Sequence, residues 1–204
     1  MYPTTQPNWQ SLVKSRLRQT LQLYLWVFVP MWLMFLLNNS VLFGLWNVFG
    51  IVPRELSVPS FIGILASWTM HANLTHITGN SLVMAQVLFL FGVFEKKAMM
   101  TIVFLIVGSG LFTWVFGSSN SLHIGASGLA FAMMGYMIGG ALFARRWGYL
   151  IACVALGVGF WLVMLSNLMP QVGVSFAGHL GGLLTGIGVG ASTRHPYSQS
   201  RLLR

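Results

Sequence analysis

Residues 74–116 read LTHITGNSLVMAQVLFLFGVF, then EKK, then AMMTIVFLIVGSGLFTWVF. Each flank is a charge-free apolar stretch, and a membrane-crossing helix needs about 20 such residues to cover about 30 Å at 1.5 Å per residue. The three charges sit together between the flanks, at Glu95, Lys96 and Lys97. The stretch reads as two membrane helices joined by a short charged turn.

The rest of the chain follows the same pattern. Its 204 residues hold 11 Lys+Arg and 2 Asp+Glu, with 6% charged against 56% hydrophobic. A soluble domain of this length would carry about 50 charged side chains. A soluble globular fold, a disordered chain and a disulfide scaffold are therefore excluded. The single Cys153 permits no disulfide within one chain. The only acids are Glu55 and Glu95, and there is no Asp. That leaves almost no room for paired-carboxylate chemistry, an Asp-held metal or a Ser-His-Asp triad.

Six charge-free stretches are expected to span: 24–43, 74–94, 98–116, 127–144, 147–168 and 173–191. Pro30 and the polar Asn38-Asn39-Ser40 are expected to kink or fray the first. Six spans place ten of the eleven basic residues on one side: Lys14, Arg16, Arg18, Lys96, Lys97, Arg145, Arg146, Arg194, Arg201 and Arg204. Only Arg54 falls on the other. The net charge of +9 thus reads as the positive-inside bias, with both termini cytoplasmic, and not as a nucleic-acid surface. The expected organisation is a cytoplasmic segment 1–20, a membrane domain 21–192 and a basic cytoplasmic tail 193–204. The expected location is the cell inner membrane, as a multi-pass protein. Residues 44–73 form a long apolar outer loop broken by Pro53 and Pro59, expected to lie in the interface as short pieces.

Polar residues inside spans carry the functional signal. They gather where spans 2, 4 and 6 begin, at one face of the membrane. Span 2 opens with His71, His76 and Asn80, span 4 with Gly125-Ala126-Ser127-Gly128, and span 6 carries His179 before Gly181-Gly182. His76 and Asn80 are four apart and share a helix face. A serine becomes a nucleophile when a base takes its proton, a part His179 can play. His76, Asn80 and the Ser127 backbone N–H can offer donors to an oxyanion. With no acid placed to orient His179, a hydrolase here would run on a Ser–His dyad. Plainer readings exist. Small residues around Ser127 and the glycines at 178, 182, 186 and 190 suit close helix packing. A lone membrane histidine is often a structural hydrogen bonder or a cofactor ligand. His123 reads as solvated or loop-fixing, and His195 carries no functional signal.

Taken in order, these three motifs resemble the rhomboid family of intramembrane serine proteases. His71, His76 and Asn80 match its H-x4-H-x3-N, Gly125–Gly128 its G-x-S-G, and His179-Leu-Gly-Gly182 its last helix. Glu95 before a basic pair also fits. The resemblance implies a six-helix all-α membrane bundle with both termini cytoplasmic. It implies Ser127 as nucleophile, His179 as general base and His76 with Asn80 in the oxyanion hole. It further implies His71 fixing the outer loop, Phe131 packing on His179 where many members have Tyr, and Gly125 and Gly128 shaping the nucleophile turn. Substrates would be transmembrane proteins in the bilayer, passing a gate at span 5 beneath a cap at 169–175. No metal or cofactor is called for. Ser81, Thr78, Gln86 and Ser175 are candidates to line a water-filled cavity. Two rivals stay open: a catalytically inactive rhomboid-like clamp for membrane clients, and a haem- or metal-binding protein using His76 and His179. The oligomeric state is not readable.

Overall fold

The computed structural model describes residues 8–171 and 173–193. The tail basics Arg194, Arg201 and Arg204, and His195, lie outside the described residues. Among the described residues no strand forms; Ile51 and His123 make one isolated antiparallel bridge. The architecture is helical: α1 (Trp9–Ser40), α2 (Val58–Ala66), α3 (Leu74–Phe94), α4 (Ala98–Phe116), α5 (Ser127–Leu142), α6 (Trp147–Ala155), α7 (Gly157–Ser166) and α8 (Phe176–Ser192).

Asn8 caps α1 by accepting from the Gln10 N–H, so the helix starts well before the apolar run and crosses the expected boundary at residue 20. Pro30 lies inside α1 without ending it, and the helix stops at Ser40, where the polar Asn38-Asn39-Ser40 ends the apolar run. Its buried residues Leu23, Val27, Met31 and Phe35 recur every three or four positions, forming one face. Tyr24 OH bonds the Ala85 carbonyl and Trp32 Nε1 donates to Ser81 Oγ at 3.2 Å, fixing α1 on α3. Residues 44–73 do break into short pieces: a 3-10 turn at Leu45–Phe49, then α2, then a 3-10 turn at Ser67–Thr69. Arg54 anchors this loop on α4, donating to the Val115 and Gly117 carbonyls at 2.9 and 2.8 Å.

The centre is α5, with 11 of its 16 residues buried, so it is surrounded by the other helices. It lies against α8 along a glycine seam. A Cβ at Gly182, Gly186 or Gly190 would collide with the backbone carbonyls of Gly128, Ala132 and Tyr136, and only bare glycine lets the two backbones approach this closely.

Three helices (α1, α3 and α4) are long and apolar enough to cross a membrane, and α6 with α7 would make a fourth. The expected single span 147–168 is instead two helices bent by 85°. Gly157 has φ +75°, a left-handed conformation that breaks the helix ladder. Trp161 Nε1 crosses the break and donates to the Cys153 carbonyl at 2.8 Å, satisfying a group that apolar surroundings would leave costly.

At the end of α3 remote from His76, Glu95 is buried and accepts from the hydroxyls of Tyr136 and Tyr149 and from Arg146 at 3.0 Å. Burial pushes its carboxyl up. The bonds from Tyr149, the Lys97 N–H and Tyr136, with the Arg146 charge, outweigh this and hold it below the usual range. Both acids of the chain thus lie away from His179, since Glu55 sits exposed in the loop.

Candidate active site

Ser127 is the first residue of α5 and follows Gly125, whose φ is +118°. A Cβ at 125 would lie 2.6 Å from His76 Nε2, so glycine is what allows the turn to press against that ring. The turn is held from behind. Gly125 N–H donates to the Ser67 carbonyl at 2.9 Å, and Ala126 N–H to His71 Nε2 at 3.4 Å. His71 Nδ1 meets the Thr69 carbonyl at 3.3 Å. This ring is fully buried; burial first, then the neighbouring His76, lowers its pKa to about 4, and the Thr69 bond offsets only part. A neutral His71 therefore ties the 67–73 segment to the turn that precedes Ser127.

His179 projects from the first turns of α8 and is 4% exposed. Its Nε2 lies 2.8 Å from Ser127 Oγ. The Phe131 ring stacks on the imidazole at 4.5 Å between centroids and 25° between planes. The other nitrogen, Nδ1, meets the main-chain carbonyl of Asn167 at 2.7 Å. A carbonyl can only accept, so Nδ1 carries the proton and Nε2 presents its lone pair to the serine hydroxyl. The place an acid would take is filled by a backbone oxygen from the end of α7. Sequence reasoning missed this partner, and no side-chain signal could have marked it.

His76 and Asn80 face the same cavity as Ser127 and His179, a space of about 720 Å³. Asn80 Nδ2 donates to the His76 carbonyl at 3.1 Å, and its second amide N–H remains for the cavity. The Ser127 N–H belongs to the first turn of α5, whose N–H groups have no intrahelical acceptor. Of the four residues expected to line the cavity, only Ser175 does so. Thr78 and Gln86 turn to their own helix carbonyls, and Ser81 faces Trp32. Positions 75, 76, 79, 80 and 83 make the cavity face of α3, a helical stripe that counting from His76 and Asn80 would have found. The α7 side is walled by Val163, Met164 and Asn167, and the loop before Ser127 contributes Ser121 and His123. Among the described residues no three His, Cys, Asp or Glu side chains gather as a metal cluster.

An all-helical, multi-pass membrane architecture with this pocket defines the class, and similarity to known proteins gives the family. Residues 59–196 match the rhomboid domain, and the chain belongs to the rhomboid family. It is 32% identical over 162 residues to an uncharacterized protein of Mycobacterium tuberculosis, covering 74% of this chain and 67% of that protein. An uncharacterized protein of Mycobacterium bovis matches to the same degree. One of Mycobacterium leprae is 30% identical over 161 residues, covering 74% of this chain and 63% of its own length.

Proposed function

We propose that this chain is an intramembrane serine endopeptidase that cleaves transmembrane protein substrates through a Ser127–His179 dyad. The 2.8 Å approach of Ser127 Oγ to His179 Nε2, in a cavity that His76 and Asn80 also line, carries the reading. In this topology six segments span the inner membrane, with α5 and α8 as short central spans, and both termini are cytoplasmic. The cavity then opens near the outer face, and substrates reach it laterally past α6 and α7.

The chemistry follows from the geometry. Ser127 Oγ attacks the scissile carbonyl carbon while its proton passes to His179 Nε2. The Nδ1–H bond to the Asn167 carbonyl holds the ring and stabilises the imidazolium. The oxyanion is met by the Ser127 N–H, Asn80 Nδ2 and His76. The intermediate collapses, the C–N bond breaks, and Nε2–H protonates the leaving amine. Water then repeats the sequence on the acyl-serine, returning the proton to Ser127. Phe131 keeps one face of the ring dry. Gly125 and Gly128 let the turn and α5 sit close to His76 and α8. A helical peptide bond is shielded from attack, so the substrate must unwind locally in the cavity.

A fluorophosphonate probe on the purified protein tests this directly. Ser127 should be labelled, and Ser127→Ala and His179→Ala should each lower cleavage of a reporter transmembrane substrate by about 10⁴-fold or more while the protein stays folded. Wild-type cleavage by either variant overturns the dyad. An unlabelled, inactive but folded wild type would favour the rival, a rhomboid-like clamp. Asn80→Ala should cost about 10²-fold or less, since other donors remain; an unchanged rate removes it from the oxyanion hole.

A further inference from the structure

His123 was expected only to fix a loop or to meet solvent, yet it stands at the junction of three segments. Its backbone pairs with Ile51 in both directions, N–H to carbonyl at 2.9 and 3.0 Å. Its ring bridges two serines, with Nε2 2.8 Å from Ser121 Oγ and Nδ1 2.5 Å from Ser175 Oγ. Ser175 is the N-cap of α8, accepting from the Gly178 N–H at 3.0 Å, and its carbonyl accepts from the His179 N–H at 3.0 Å. The imidazole thus joins the loop that ends in Ser127 to the cap of the helix that carries His179.

The proton directions are determined. Ser121 has one hydroxyl proton, and it goes to the Ser118 carbonyl at 2.5 Å. Ser121 Oγ must then accept from His123 Nε2–H. The neutral ring keeps a lone pair on Nδ1, which accepts from the Ser175 hydroxyl, while Ser175 Oγ accepts from Gly178 N–H. Every group in the chain from Gly178 through Ser175, His123 and Ser121 to Ser118 is used once, in one sense. A phenylalanine at 123 would keep the ring and the Ile51 pairing but break the chain at both nitrogens.

We propose that His123 is a positioning residue of the dyad: it clamps the Ser175 cap of α8 to the nucleophile loop and so fixes His179 relative to Ser127 when substrate fills the cavity. The proposal rests on the dyad reading above. The glycine seam sets the distance between α5 and α8 along their length. The seam ends at Gly178, whose carbonyl lies near Gly128; the Ser175 cap precedes it and lines the cavity with Ser121 and His123. There a small displacement of the base is costly, since about 1 Å of misplacement can cost 10²-fold in rate.

The test measures kcat and KM of the full chain in liposomes on a reporter transmembrane substrate. The variants are His123→Phe, Ser175→Ala, the double variant and Ser127→Ala. His123→Phe should lower kcat about tenfold, as expected for one or two lost hydrogen bonds, with KM within about twofold of wild type. Ser175→Ala also removes the helix cap, which the double-mutant cycle subtracts; the double variant should be no slower than Ser175→Ala alone. His123→Gln, which can still donate and accept, should recover part of kcat. An unchanged kcat in His123→Phe, or effects of the two substitutions that simply multiply, overturns the clamp. If His123→Phe does not fold, Ser121→Ala and Ser175→Ala carry the test, and wild-type kcat in both overturns it. Cleavage by Ser127→Ala would instead sink the dyad reading, so the two failures are distinguishable.

Discussion

A methyl group added at Gly186 would strike the Ala132 carbonyl of the neighbouring helix, whereas one added at Gly159 would meet nothing within 4 Å. The two glycines belong to two differently built regions. In the α5–α8 pair, backbones touch along a seam, and α5 is almost wholly buried. In α7 only Met164 is buried, and the helix turns away from α6 at a left-handed glycine. Ser127 and His179 stand on the first region. Only the Asn167 carbonyl and the Val163–Met164 wall come from the second. The atoms of the proposed dyad are thus held by the close-packed pair, while the carbonyl that meets His179 Nδ1 comes from the loosely packed one.

The strongest way to break this contrast is Gly186→Ala. Backbone cannot give way as a flexible side chain can, so α5 and α8 must separate, and overpacking of this kind costs about 1–3 kcal/mol or more. We expect a large fall in the thermal midpoint in detergent and loss of fluorophosphonate labelling even below that midpoint. Wild-type stability and labelling would mean that the seam does not hold the dyad.

Glu95→Gln comes next, because Glu95 ties the two regions at the end remote from Ser127, through Tyr136 of α5 and Tyr149 of α6. Leaving Arg146 beside an uncharged amide should cost about 3 kcal/mol, with the labelling rate of the folded fraction unchanged. The acid response gives the sign. The Glu95 carboxyl is held below its ordinary range, so its stabilisation is complete above that range and is lost as pH falls through its folded value. Wild type should lose stability in acid that Glu95→Gln does not lose. Parallel acid curves would show that the knot contributes nothing.

These two regions also differ in how far they could be read in the sequence. A hydroxyl, two imidazoles and a carboxamide inside apolar runs are costly, so Ser127, His179, His76 and Asn80 stood out as side chains. The seam showed as glycines four apart. The bend at Gly157 did not, because one glycine among 23 carries no mark of a positive φ. Asn167 acts through a carbonyl that every residue has, and nothing in its side chain announces the role. Glu95 was noticed, but its partners lie 41, 51 and 54 positions away, and only packing brings them together. Thr78, Ser81 and Gln86 lie off the helix stripe through His76 and Asn80, so their polarity alone does not mark the cavity wall.

The smallest expected effect, with the opposite sign, is Gly159→Ala. Gly159 sits inside α7 with no positive φ and no neighbour for the new methyl group. Alanine removes unfolded-chain freedom and favours helix, worth about 0.5–1 kcal/mol at a compatible position. The thermal midpoint should hold or rise slightly. A stiffer α7 should also leave labelling by the small probe unchanged, because Ser127 and His179 stand on the other region. Cleavage of a transmembrane substrate, which on the proposed lateral route passes α7, is the more sensitive readout and should slow modestly. If instead Gly159→Ala destabilised the protein as Gly186→Ala is expected to, α7 would be packed as tightly as the seam, and the division between a rigid pair and a loose wall would collapse.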